Sequence, residues 1–301
     1  MRTALHPDLL ARIEAHLGRA AGDPVALEGG ITNRNYRVRF GERDAVVRLC
    51  GEQAAALGID RRTEAIATQR AADLGIGPEV LVRLEDDDVL VCGFVTGAAM
   101  TAAGVRGRLG EIARALRAFH ETPPLPTAFD VYELIARQRA IAGVLPADYE
   151  ALLATAARIR HAFGDRPDHV PVPCHNDLLA ANFLAEPGGG GVRILDWEYA
   201  GNNDRCFDLG NLAVNNALDD DEQEALLHAY WEGDVTTGRR AALALMRFVS
   251  DFREAMWGAA QQTLSDLDVD YVAYADEHFA RLRATASDPR MEGWLHDAAA
   301  A

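Results

Sequence analysis

The stretch Cys174–Gly201, CHNDLLAANFLAEPGGGGVRILDWEYAG, decides how the rest of the chain is read. Asp177 and Asn182 stand five residues apart, followed by the turn Gly188–Gly191 and the apolar run Val192, Ile194, Leu195, which ends in a second acid, Asp196. A carboxylate and an amide on one loop, with a further carboxylate at the end of a strand, are the layout of a phosphoryl-transfer site. In such a layout the first acid, here Asp177, is expected beside the substrate hydroxyl, and the amide and second acid, here Asn182 and Asp196, are expected to hold magnesium on nucleotide phosphates. Magnesium takes hard oxygen ligands, which an amide and a carboxylate supply.

The D-x4-N interval is that of the protein-kinase catalytic loop H-R-D-x-x-x-x-N. Here it reads His175-Asn176-Asp177, with His175 a structural residue that fixes the loop. A loop aspartate alone is more often a turn cap, so the weight rests on Asp196 arriving after the glycine turn. Trp197-Glu198 replaces the Phe-Gly that follows this acid in protein kinases, which sets the chain apart from them.

Upstream, the spacing predicts a helix over 8–20 and short strands over 25–27, 35–40 and 45–49. A helix follows over 61–74, with Ile66 and Leu74 inward, then a strand pair over 79–84 and 89–92 and a linker over 93–97. Gly29-Gly30 joins the first two strands. Glycines there let backbone N–H groups approach phosphate, with Thr32, Asn33 and Asn35 as added donors; the same dipeptide also serves as an ordinary hairpin turn. Arg48 lies between apolar neighbours on the third strand, and Glu64 on the next helix is its natural ion-pair partner, the pairing by which kinases pin nucleotide phosphates. The sequence has no lysine, so any phosphate-holding cation is an arginine, which binds as a planar fork.

Downstream the helical period dominates, over 109–120, 131–142, 149–163, 222–231, 237–263 and 271–284, with a frayed tail over 285–301. The expected fold is α+β and bilobal, like a protein kinase: a β-rich nucleotide-binding lobe over 1–93, a hinge at about 93–97, and a helical catalytic and substrate-binding lobe over 94–301.

Composition narrows the partners. The 301 residues carry a net charge of −16, which argues against nucleic acid or an anionic membrane. It suits a cationic small substrate, although solubility alone also accounts for it. The four cysteines, Cys50, Cys92, Cys174 and Cys206, are scattered and form neither a zinc motif nor a disulfide framework, as expected of a reducing cytoplasm. No apolar run reaches the ~20 residues that span a bilayer, so no membrane insertion is expected. No G-x4-G-K-[ST], G-x-S-x-G or H-E-x-x-H motif occurs, which removes the P-loop, hydrolase and zinc-protease readings.

Taken in order, Gly29–Tyr36, Val46–Leu49, the Glu64 helix, His175–Asp177 with Asn182, Ile194–Gly201, Asn203-Asp204, Phe207–Asn211, Met256–Gly258 and Tyr271–Tyr274 resemble the choline/ethanolamine kinase family, within the aminoglycoside-phosphotransferase-like kinases. The resemblance runs almost end to end. It implies transfer from ATP to a primary hydroxyl with magnesium, Phe94 and Val95 lining the adenine site, and Asp208 steadying the catalytic loop. It implies a small alcohol acceptor, choline, ethanolamine or a related amino alcohol, taken by a monomer or homodimer.

Family members that take choline enclose its ammonium with aromatic rings and carboxylates through cation–π and charge attraction. Trp257 falls on one aromatic position, but the next is Ala260, and Asn215-Asn216 stand where the family often has an acid and Trp. Tyr199, Phe207 and Trp231 are candidates to compensate, and Glu198 or Glu254 to supply the anion. Trp257 is equally readable as a core residue of a long helix. Two rival readings stand beside this one: phosphorylation of aminoglycosides or another small molecule such as thiamine or a sugar, and a catalytically inactive nucleotide-binding module.

Overall fold

The computed structural model describes residues 5–27, 33–50, 58–164, 170–265 and 267–299. Gly29, Gly30 and Thr32 lie outside the described residues. The chain forms two compact units: 1–99 with 183–199, and 100–182 with 200–301. The mixed α+β architecture with a small antiparallel sheet in the N-terminal region is the fold class expected.

In the first unit, helix α1 (Pro7–Leu17) precedes strands β1 (Val25–Leu27), β2 (Asn33–Phe40) and β3 (Arg43–Cys50). Helix α2 (Arg61–Asp73), strands β4 (Val80–Leu84) and β5 (Val89–Gly93) and the two-residue strand β6 (Ala98–Ala99) follow. The sheet runs β1-β2-β3-β5-β4, with every pair antiparallel. Side chains alternate faces along a strand. Tyr36, Val38, Phe40, Ala45, Val47 and Leu49 therefore bury one face together with Leu9 and Ile13 of α1, and Val46 and Arg48 emerge on the other.

Helix α2 departs from expectation. It buries Thr63, Glu64, Ala65, Ala67, Thr68 and Ala71, while Leu74, expected inward, is 40% exposed. Leu74 is the C-cap residue of the helix, where the chain is already turning away, and small residues give the packed face a weak hydrophobic signal.

The second unit is built on helices. These are α3 (Ala102–Arg106), α4 (Leu109–His120), α5 (Val131–Ile141) and α6 (Tyr149–Gly164), then, after strand β7 (Val172–Cys174), the catalytic-loop segment. The chain next returns to the first unit through strands β8 (Phe183–Ala185) and β9 (Val192–Ile194), where β8 pairs with both β6 and β9. It re-enters the second unit at β10 (Gly201–Asn203), which pairs antiparallel with β7. Helices α7 (Arg205–Asn215), α8 (Asp220–Tyr230), α9 (Thr237–Leu264), α10 (Tyr271–Ala286) and α11 (Met291–Ala299) complete it.

Helix α9 is the axis of this unit. Residues Phe248–Met256 are buried without a break, and α5, α7, α10 and α11 pack around it. The approach of α7 requires Gly210: a Cβ there would meet the backbone of Met246 and Arg247 at 2.8 Å. The tail expected to fray is instead helix α11, whose Met291, Leu295 and Ala298 close the core against α6 and α9. Its apolar positions lie four and three apart on one face, a helical stripe too short to stand out in the sequence. No helix among the described residues is long and apolar enough to cross a membrane.

Candidate active site

Two clusters of charged side chains hold the predicted site residues, one in each unit.

In the first unit, Arg48 of β3 bonds to both Glu64 of α2 and Asp196. Glu64 is almost fully buried and its second oxygen takes Arg61 at 2.7 Å. Arg61 also donates to Asn33 Oδ1 at 2.9 Å, and Asn33 Nδ2 donates to Glu198 Oε2 at 2.6 Å. The Arg61 guanidinium lies 3.7 Å from the same Glu198 oxygen. Arginine forks suit such bridging because each presents several donors in one plane. Burial, the largest single influence on Arg48, opposes its charge, but the carboxylates of Asp196, Glu64 and Glu198 outweigh it and raise its proton affinity well above the usual value.

Asp196 follows β9 with φ at 63°, a left-handed conformation that aspartate tolerates better than most residues. Asn35 sits on β2 opposite Arg48 in the register. Phe94 and Val95 line a cavity of about 630 Å³ together with Gln69, Gly93, Thr96 and Arg193. The Arg37 guanidinium stacks 4.1 Å over the Phe94 ring.

In the second unit the loop after β7 carries Asp177 and Asn182. Asp208 of α7, with no exposed surface, receives the N–H of Asn176 on Oδ1 at 2.7 Å and the N–H of His175 on Oδ2 at 2.8 Å. Its Oδ2 also receives His120 Nε2 of α4 at 3.0 Å, and His120 Nδ1 accepts from the Tyr230 hydroxyl at 2.7 Å. An ionised carboxylate only accepts, so the Asp208 contact requires the Nε2–H, and in the neutral ring Nδ1 is left to accept from the Tyr230 hydroxyl. Cys174 completes a buried group with His120 and Asp208 whose ligand atoms lie within 4.8 Å of one another. The His and Asp atoms are already bonded to each other and to protein, so the group is a brace rather than a metal centre.

Asn176 takes φ of 67°, held through Nδ2 by the carbonyls of Cys174 and Gly201, both at 3.4 Å. His175 Nδ1 accepts the N–H of Asp177 at 3.2 Å. Asn182 Nδ2 donates to the Asp177 carbonyl at 2.8 Å, which turns its amide oxygen the other way. That oxygen, in the second unit, and the Asp196 carboxylate, in the first, are each hard donors of the kind magnesium takes.

The candidates for acceptor recognition are redistributed. Glu198 lies in the cluster of the first unit with Asn33 and Arg61, and Tyr199 is buried there at 4% exposure. Phe207 is a core residue against Phe129, and Trp231 packs edge-on against Tyr230 beneath Arg239.

Glu254 is 1% exposed, with Oε1 bonded to Arg253 at 2.6 Å and Asn211 at 3.3 Å, and Oε2 to the Tyr274 hydroxyl at 2.8 Å. It is a committed counter-ion of Arg253. Burial raises its proton affinity, but Arg253, His278 and the Tyr274 hydroxyl outweigh burial and hold it below the ordinary glutamate range. Trp257 is half-buried on α9, with Tyr271 and Tyr274 edge-on at centroid distances of 5.7 and 5.6 Å.

Sequence reasoning missed Arg61, His120 and Arg253. Arg253 left one signal, an Arg-Glu pair among the apolar residues Phe252, Ala255, Met256 and Trp257 of α9, but its partner Asp177 is far away in sequence.

The phosphotransferase enzyme family model matches residues 24–249. Among solved structures, a choline/ethanolamine kinase family protein from Mesorhizobium loti is 28% identical with a TM-score of 0.81, covering 97% of this chain and 99% of that one. A choline kinase from Streptococcus pneumoniae, 22% identical with a TM-score of 0.77 over 92% of this chain and 98% of that one, shares the fold. Human ethanolamine kinase 2 is 35% identical over 120 residues, 34% of this chain and 31% of that protein. The chain thus spans about a third of the length of the first curated relatives it matches. With the family model covering most of the sequence, the chain is a member of the phosphotransferase enzyme family, similar to choline and ethanolamine kinases.

Proposed function

We propose that this protein is an ATP- and magnesium-dependent kinase that phosphorylates the primary hydroxyl of choline, ethanolamine or a related amino alcohol in the cytoplasm. The observation that carries the reading is the catalytic loop itself. Asp177 and Asn182 are held in one constellation by Asp208, which clamps two successive backbone N–H groups. The similarity over nearly the whole chain to a choline/ethanolamine kinase family protein supports the same assignment.

In this reading residues 1–93 bind the nucleotide, with Gly29, Gly30, Thr32, Asn33, Asn35 and Arg48 serving its phosphates, Glu64 pairing with Arg48, and Phe94 and Val95 its base. Residues 94–301 supply catalysis and acceptor binding. Asn182 and Asp196 would hold the magnesium, which neutralises charge on the phosphates when bound. Asp177 orients the acceptor hydroxyl and takes its proton. The rest of the rate enhancement comes from positioning and fixed charge. Trp257 and Tyr274 are the side chains proposed to meet the acceptor, Trp257 offering a ring face to an ammonium group. Glu254 stands behind Tyr274, bonded to its hydroxyl, and Glu198 and Tyr199 are further candidates for the acceptor side.

Asp177→Ala tests the assignment. It should bind ATP as the parent does, by calorimetry, while phosphoryl transfer falls by about 10²–10⁴-fold. Parental turnover by this variant removes Asp177 from the mechanism.

A further inference from the structure

We propose that Arg253 is the positioning residue of the catalytic carboxylate, holding Asp177 Oδ1 and so setting the orientation in which the carboxylate meets the acceptor hydroxyl. This rests on the reading of Asp177 as the group that meets that hydroxyl.

Arg253 Nη1 lies 3.1 Å from Asp177 Oδ1 and 2.6 Å from Glu254 Oε1, and the Arg253 side chain is 3% exposed. Neighbouring residues on a helix do not face one another. The guanidinium therefore folds along α9 to reach Glu254 and Asp177 together. The contacts form a closed circuit: Asp177 to Arg253, Arg253 to Glu254, Glu254 to Asn211 at 3.3 Å, and Asn211 Oδ1 to the N–H of Leu178 at 2.5 Å. Leu178 is the residue after Asp177, so one circuit grips the carboxylate and the adjoining backbone. The Tyr274 hydroxyl locks the far oxygen of Glu254 at 2.8 Å.

Charge balance separates this arrangement from a plain structural ion pair. A buried arginine needs one counter-ion, and Glu254 supplies it. The bond to Asp177 is an addition that burial does not require, and it leaves Asp177 its negative charge. Asn182 Nδ2 lies 3.4 Å from the other carboxylate oxygen, Oδ2. Arg253 thus fixes one oxygen of the carboxylate and, through it, the orientation of the group.

The test uses the full chain and the variants Arg253→Met, Arg253→Lys and the double variant Arg253→Met/Glu254→Gln. The double variant removes the buried charge that Arg253→Met leaves unpaired, so a folding failure of the single variant does not end the experiment. Turnover is measured with ATP against choline and ethanolamine, and crystal structures are solved for the parent and the double variant.

The expected result is a fall in kcat of about 100-fold for both methionine variants, the scale of a small misplacement of a reacting group. KM for ATP should stay within about twofold, and lysine should recover part of the loss. In the crystal structure the Asp177 carboxylate should turn from its parental orientation. Parental kcat in the double variant, or an unmoved Asp177 carboxylate, overturns the proposal. If the parent phosphorylates neither alcohol, the proposed acceptor class fails and the crystal structures alone decide Arg253. If Asp177→Asn retains parental turnover, the catalytic reading of Asp177 fails, and the role of Arg253 with it.

Discussion

Replacing Asp208 with alanine removes three hydrogen bonds at once from a position with no solvent exposure: those from His175 N–H, Asn176 N–H and His120 Nε2. Water cannot reach the orphaned donors, and each buried unsatisfied group costs roughly 1–3 kcal/mol. Partial relaxation of the loop recovers some of this, leaving a net loss of about 3–5 kcal/mol. A protein of this size loses about 2–4 °C of melting temperature per kcal/mol, so the variant should unfold about 6–20 °C earlier. Asparagine is the sharper probe. It keeps one accepting oxygen but points an NH2 group at a backbone N–H, so it should recover at most half of the loss. Catalysis should suffer more than stability, because the same bonds set the path of the backbone into Asp177. At a temperature where the fold is intact, kcat should drop by about 100-fold or more. Differential scanning calorimetry and ATP turnover measure the two effects. A melting temperature within about 2 °C of the parent for both variants, with kcat preserved, would refute the idea that Asp208 is the brace of the catalytic loop.

Other expectations follow from neighbouring features. Arg48→Met leaves Glu64 with Arg61 as a counter-ion, so the loss in urea unfolding should fall below the roughly 3–5 kcal/mol of a stranded buried charge while KM for ATP rises; unchanged stability and KM would contradict the role given to the pair. Deleting residues 288–301 uncovers the sites of Met291 and Leu295, a loss of about 3–6 kcal/mol from those two side chains, read from the unfolding midpoint. Gly210→Ala drives a methyl into the backbone of α9, and overpacking of this kind costs about 1–3 kcal/mol; a neutral result would mean that the helices separate freely. Burial pushes the Cys92 thiol up to about 12 and raises Cys174 as well. Both stay protonated in the folded state while an unfolded thiol ionises near pH 8.5. Cys92 at pH 8 should therefore carry about 10⁻⁴ thiolate and resist iodoacetamide in the native protein, as followed by peptide mass spectrometry. The sign for stability follows: the full contribution is present below the unfolded thiol value and is lost as pH rises above it. Rapid native labelling of Cys92 at pH 8 would contradict the raised thiol.

The legible parts of this chain are those whose chemistry is local. The D-x4-N interval, the strand ending in Asp196, and Arg48 between apolar neighbours are each defined by a few consecutive residues, and each stands where the pattern placed it. The amphipathic helices were visible for the same reason: α4 buries Ile112, Leu116 and Phe119 on one stripe at helical spacing. Helix α7 escaped because nine of its eleven residues are buried, and a helix buried all round shows no stripe. Its N-cap, Asp204, receiving Cys206 N–H at 2.7 Å, was the available signal. Helix α11 was hidden by its shortness and by the alanines around it. The acceptor side was illegible for a different reason. Glu198 and Glu254 are acidic and near the right motifs, but whether a carboxylate is open to a ligand depends on what already occupies it. Arg61 and Asn33 occupy Glu198, and Arg253, Asn211 and Tyr274 occupy Glu254. Those partners come from distant segments, and only the folded chain brings them together.

The most direct measurement of the central claim is ATP consumption by the purified protein with magnesium over choline, ethanolamine, thiamine, sugars and aminoglycosides, with Asp177→Ala alongside. The account predicts acceptor-dependent ADP release with choline or ethanolamine, matched by phosphorylated product and lost in the variant. Tight ATP binding with no turnover on any of these alcohols, or turnover that survives Asp177→Ala, would contradict it.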